Sequence, residues 1–196
     1  VRAYATNGAG TAYGNQLSFA TSIIPNCGTV TDINGNVYNT VTIGTQCWMR
    51  ENLKATSYKD GSAIPNATDN ASWSALTTGA YCWYNNDAAT YKATYGALYN
   101  WYAVNTGKLC PAGWHVPSDA EWSTLVTFLG GDELAGGKLK EAGLTHWASP
   151  NTGATNETGF NGLPSDSRVA ATYYGLSLYG FFWTSTEYSG YEGKFA

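Results

Sequence analysis

Two long stretches of this chain carry neither helical nor strand periodicity, and they limit what it can fold into. Residues 54 to 78 are polar and irregular, and from 136 to 167 Gly, Asn, Thr and Ser dominate. A compact domain rarely holds so much irregular backbone, because every buried amide and carbonyl needs a partner. Aromatic side chains and disulfides are therefore expected to pin these loops.

Between the loops stand short periodic segments. Val30 to Ile43 reads as a hairpin, with Asn34-Gly35 as a two-residue turn signal between alternating apolar residues. Cys47-Trp48-Met49 continues into a core. Leu98, Trp101 and Tyr102 fall at i, i+3, i+4 and predict a helix over 97–104. The sharpest local signal predicts a helix from Asp119 to Leu129. Ser118 is the N-cap, Glu121 completes a capping box, and Trp122, Leu125, Val126 and Leu129 form one apolar stripe that Gly130 ends. A further helical turn is expected at 132–135, and strands at 168–174 and 177–184.

The first residues form a separate unit. Val1, Ala3 and Ala5 alternate with Arg2, Tyr4 and Thr6. Asn7-Gly8-Ala9-Gly10 supplies a turn, and a return strand is expected from Tyr13 through Leu17 to Phe19. A lone two-stranded hairpin is marginal in water, so this one needs a surface to pack on. Residues 21–28 read as a linker.

Composition narrows the function classes. Charged residues are 12% of the chain, about half the usual share. With net charge -4 and scattered Lys and Arg, no basic stripe is available for nucleic acid. No apolar run is long enough to span a membrane as a helix. Cys27, Cys47, Cys82 and Cys110 lack any C-x-x-C spacing, which disfavours zinc. Two disulfides are favoured over buried thiols. Three pairings are open, with Cys27–Cys47 plus Cys82–Cys110 preferred. Disulfides point to an extracellular or cell-surface location.

Six stretches in order then carry a resemblance: 30–54 (VTDINGNVYNTVTIGTQCWMRENLK), 81–87 (YCWYNND), 95–104 (YGALYNWYAV), 110–122 (CPAGWHVPSDAEW), 159–164 (GFNGLP) and 182–187 (FWTSTE). Together, over about residues 29 to 191, they resemble the Fibrobacter-type major paralogous domain. The resemblance implies an α+β, C-type-lectin-like domain over 29–196, with a twisted antiparallel sheet, two helices and long loops. It brings no catalytic residues with it. It also implies a last strand beyond Ala196. Residues 1–20 resemble the final two strands of a fibronectin type III or immunoglobulin-like sandwich, which needs about seven.

Chemistry is sparse. His115 and His146 read as hydrogen-bonded structural residues, since neither has a neighbouring nucleophile and acid for a triad. Asp32-Ile33-Asn34-Gly35-Asn36 lacks the Gly and Glu positions of an EF-hand, so it reads as hairpin. Asp87 and Asp166 are the candidates for a calcium site in loops. Otherwise no cofactor is expected. Glu51, Glu121 and Glu187 have no spacing that pairs them for glycoside cleavage. No phosphate loop, dinucleotide fingerprint or nucleophile elbow is present. Trp48, Trp101, Trp114, Trp122 and Trp183 read as core, whereas Trp73, Trp83 and Trp147 lie in polar loops and are candidates for stacking on sugars. Asn66, Asn70 and Asn156 head glycosylation sequons.

The expectation is a non-enzymatic extracellular protein. It would be a surface or filament subunit whose partners are copies of itself, joined head to tail through the hairpin residues Val1, Ala3, Ala5, Tyr13, Leu17 and Phe19. The rival expectation is a glycan-binding adhesin module flanked by other domains of a longer chain.

Overall fold

The computed structural model describes residues 4–13, 27–169, 172–189 and 192–195. Of the hairpin residues singled out in the sequence, Val1, Ala3, Leu17 and Phe19 lie outside them. Strands β1 (Tyr4–Asn7) and β2 (Gly10–Tyr13) pair antiparallel, with Ala5 opposite Ala12. The return strand thus starts at Gly10, earlier than expected, because Gly8 and Ala9 alone make the turn. Every described side chain from Thr6 to Tyr13 is exposed.

The following hairpin joins β3 (Thr29–Thr31) to β4 (Val37–Ile43). Its loop is three residues long, not two. The Gly35 amide donates to the Asp32 carbonyl at 3.0 Å, and Gly35 takes a φ of 82°. Only Gly35, and not Asn34, enters the left-handed region, so the geometry is a type I turn with a bulge. Strand β5 (Gln46–Met49) completes a three-stranded sheet in the order β3-β4-β5, with β5 on its edge.

Helix α1 (Asn70–Ser74) interrupts the first irregular stretch. Strand β6 (Tyr81–Cys82) precedes a 3-10 turn and helix α2 (Ala88–Tyr95), capped by the Asp87 carboxylate on the Thr90 amide. Strand β7 (Leu98–Tyr99) pairs with β6, and helix α3 (Trp101–Val104) follows. The helix expected over 97–104 is therefore half strand. Asn100 explains the break: its side-chain oxygen accepts from Ala80 and Ala103 amides, capping α3 while tying it to the chain before β6.

Helix α4 (Asp119–Phe128) forms as its capping box predicts, with both reciprocal bonds between Ser118 and Glu121. Helix α5 (Asp132–Leu139) is longer than the single turn expected. Strands β8 (Ser167–Val169) and β9 (Thr172–Tyr174) form a hairpin, and β10 (Trp183–Ser189) pairs with β11 (Glu192–Phe195). Residues 177–182, expected as strand, form a turn and irregular chain instead. The architecture is mixed helix and sheet. The single twisted sheet and two helices expected are replaced by five small antiparallel sheets and five α-helices among the described residues.

Cys27 and Cys47 form a disulfide, as preferred. Cys82 and Cys110 are free thiols, which overturns the second expected bridge. Cys82 is wholly buried on β6, and burial raises its thiol pKa. The loops are held mainly by other means. Asn34 accepts from the Thr56 and Ser57 amides, the Tyr99 hydroxyl donates to the Ala55 carbonyl, and Asn156 accepts from the Asn161 amide. Short amide side chains, more than bridges, supply the partners that irregular backbone requires.

Candidate functional site

Among the described residues, two separate hydrophobic clusters make up the core. The first gathers Tyr58, Ile64, Tyr81, Trp83, Tyr99, Trp101, Val104 and Leu109. The second gathers Ile43, Trp48, Trp122, Leu125, Leu129 and Phe160, with the Trp48 and Trp122 ring centroids 4.7 Å apart. A domain of this size usually has one contiguous core. Here a cleft of about 910 Å³ lies where the two clusters meet, lined by Trp101, Val104 and Leu109 from one and by Trp48, Trp122 and Phe160 from the other.

Three further features mark the cleft. The edge strand β5 lines it along its whole length. Trp48 and Trp122 each bury an indole N–H that has no acceptor among the described residues. Asp166, 5% exposed, buries both carboxylate oxygens without a hydrogen bond among the described residues. Burial pushes the Asp166 carboxyl up to about 6, and the nearby Ser167 and Tyr174 amides only temper that rise. They do not reach hydrogen-bonding geometry.

Arg168, two residues on, is 8% exposed. Its Nη1 donates to the Ala67 carbonyl at 2.7 Å, and its Nη2 donates to the Thr68 carbonyl and the Asn70 Oδ1. Its guanidinium carbon sits 4.8 Å from the Trp73 ring centroid and 5.3 Å from that of Tyr173. The cation is thus sandwiched and directed at residues 67–70, and no ion pair joins it to Asp166 among the described residues.

The residues proposed from sequence separate clearly. Trp83 and Trp147 are 5% and 8% exposed, so they are core and not sugar platforms. The Trp147 indole donates to the Gly162 carbonyl, which satisfies its polar end. Trp73 is half-buried and lines the cleft beside Arg168. Trp48, Trp101 and Trp122 are buried as expected, while Trp114 is only half-buried and also faces the cleft.

Neither calcium candidate gathers a ligand set. The Asp87 carboxylate caps α2, and among the described residues no three His, Cys, Asp or Glu side chains come together. Asp32 is likewise engaged, accepting from the Asn34 and Asn36 amides, the Asn36 side chain and the Tyr38 hydroxyl. Glu51 accepts twice from Asn39. Glu121 binds Ser118 and His115. Burial alone would raise its pKa, but the Ser118 amide and His115 outweigh that and hold it below its usual range. His146 meets Glu141 at 2.9 Å, so both histidines are hydrogen-bonded.

Among the sequons, Asn66 is exposed. Asn70 accepts from Arg168, and Asn156 is locked to Asn161 through both side-chain atoms. Cys110 lines the cleft, with its thiol pushed up to about 12 by burial. Sequence reading missed the cleft because its parts come from distant segments. Asp166 and Trp73, picked separately and for other reasons, both line it.

The family model for the Fibrobacter succinogenes major domain matches residues 41–195. The chain belongs to this family. The match spans the cleft and both core clusters, whereas the hairpin at 4–13 lies outside it. No curated protein and no solved structure matches this Fibrobacter-type chain. No helix among the described residues is long and apolar enough to cross a membrane.

Proposed function

We propose that this chain is a non-enzymatic extracellular subunit whose cleft receives an extended segment from another copy, so that subunits join head to tail. The observation that carries this reading is the split core. A segment laid along β5 would bridge the two clusters, pair the open strand edge and offer carbonyls to the Trp48 and Trp122 indoles. This is β-augmentation, in which backbone bonds give affinity and side-chain pockets give specificity. The segment is supplied by residues 1–20, whose described side chains from Thr6 to Tyr13 are exposed. Contact between two different surfaces of identical subunits propagates into open filaments. The Cys27–Cys47 disulfide fits an oxidising extracellular setting. The C-type-lectin-like fold is part of the same proposal, supported by the mixed helix and sheet and the long pinned loops.

Electron microscopy of the concentrated protein tests the reading. Filaments are expected, and removal of residues 1–20 should leave monomers. Monomers alone from the intact chain at high concentration would refute it.

A second reading has one specific observation behind it. Trp73 and Trp114 are half-buried and line the cleft, as do Asn52 and Asp166, an aromatic and polar mixture suited to a sugar. Binding on a glycan array, lost in Trp114→Ala, would favour an adhesin module instead.

A further inference from the structure

Asp166 is an acid whose partner is missing. It lines the cleft, it is 95% buried in the sense that only 5% of its surface is exposed, and neither oxygen is hydrogen-bonded among the described residues. The contrast with Asp32 is instructive. Asp32 is equally buried at 6% exposure and takes four donors from its own hairpin. An isolated ionised carboxylate out of water costs several kcal/mol, so folding tolerates one where something else compensates it.

The neighbouring groups do not compensate it. Arg168 spends both Nη atoms on residues 67–70 and is held between Trp73 and Tyr173, and its buried Nε, though unpartnered, makes no ion pair with Asp166 among the described residues. Cys82, Tyr84 and Tyr173, the other titratable groups close by, all have pKa values raised by burial and are neutral at pH 7. A calcium ion would want six to eight oxygens, and Ser165, the adjacent hydroxyl, is already donating to the Phe181 carbonyl. A neutral diol would satisfy the oxygens but leave the charge buried.

We propose that Asp166 anchors a cation-recognition subsite in the cleft, receiving a guanidinium carried by the polypeptide segment that fills it. Two unpartnered oxygens of one buried carboxylate match the two parallel N–H donors of a guanidinium fork, which an ammonium cannot reproduce. The ion pair also cancels the buried charge. This inference rests on the polypeptide-occupied cleft of the preceding reading. It fixes the register of the occupant, because one basic side chain must fall opposite Asp166.

The test is carbon NMR of the aspartate carboxyls in the intact chain, held below the concentration at which it assembles, titrated with N-acetyl-arginine methylamide, methyl glucoside or calcium chloride. With the arginine amide at saturation, the Asp166 titration midpoint should fall by roughly one unit or more, the direction an adjacent cation imposes. Methyl glucoside and calcium should leave it unchanged, and Asp166→Asn should abolish binding of the arginine probe while Asp87→Asn retains it. No response to the arginine amide overturns the proposal. So does an equal response to glucoside or calcium, which would make the site one for neutral polyols or metal. The wild-type titration stands even where Asp166→Asn folds poorly. Filament formation without an arginine response would refute the subsite alone, whereas an arginine response without filaments would refute only the self-assembly reading.

Discussion

The guanidinium of Arg168 lies 4.8 Å from the ring of Trp73 while its Nη atoms hold the carbonyls of Ala67 and Thr68. One side chain thereby closes the irregular stretch after Ile64 onto β8, about a hundred residues later. Replacing Arg168 with Lys removes the fork and the planar stack together. The expected cost is roughly 3 kcal/mol, since buried charge-assisted bonds contribute about 1.5–3 each. Urea denaturation should show that loss, and Trp73 fluorescence should change in the native state. A variant as stable as the parent would mean the clamp is ornamental.

The phenol of Tyr38 donates to Asp32 at 2.7 Å and accepts from the Lys54 amide at 3.1 Å. Its pKa is raised, first by burial and then by the Asp32 carboxylate, so the hydroxyl stays protonated and donating. Tyr38→Phe keeps the ring but strands an Asp32 oxygen and the Lys54 amide. The loss should be about 1–3 kcal/mol. Amide exchange at Lys54 should accelerate more than exchange in α4, which would separate a local pin from general weakening.

What could be read ahead of the structure follows from the range of the interactions. The capped helix at 119–128 was legible because Ser118, Glu121 and the apolar stripe are all local signals. The turn at Asp32 to Asn36 was legible as a hairpin but not in its length, because the Asp32 side chain, satisfied by its own loop, favours the bulged form. The helix expected over 97–104 failed because Asn100 recruits the Ala80 amide, a partner twenty residues away. Trp83 and Trp147 were misjudged for a related reason: polar sequence neighbours say little about burial when the loop itself is folded inward. The family was legible from six ordered motifs, yet the split core between them was not, because a cleft is a property of how distant segments pack.

The cysteines give a direct chemical check. The disulfide closes a separation of 20 residues, for which chain entropy predicts a stabilisation of about 3 kcal/mol. Cys27→Ser with Cys47→Ser should lower stability by that order in urea. The unreduced, denatured wild type should show two reactive thiols, from Cys82 and Cys110. In the native state Cys82 should resist alkylation outright. Cys110, with its thiol pushed up to about 12, should react slowly at pH 8 because little thiolate is present. A denatured protein with no free thiol would restore the second bridge.

Asp166 makes stability depend on pH in a definite direction. Its carboxyl titrates near 6 in the folded chain and near the ordinary value of about 3.9 when unfolded. The folded state therefore holds the proton more tightly, and between these values it binds more protons than the unfolded state. By linkage, this group's contribution to stability is greatest below about pH 4 and is lost as pH rises through 6. The loss is at most roughly 3 kcal/mol, less where cleft water screens the charge. Asp166→Asn removes the charge at all pH values. It should be more stable than the wild type at pH 7.5 and close to it at pH 4, as urea midpoints at the two pH values would show. A variant weaker than the wild type at pH 7.5 would mean that the carboxylate is already compensated in the free chain.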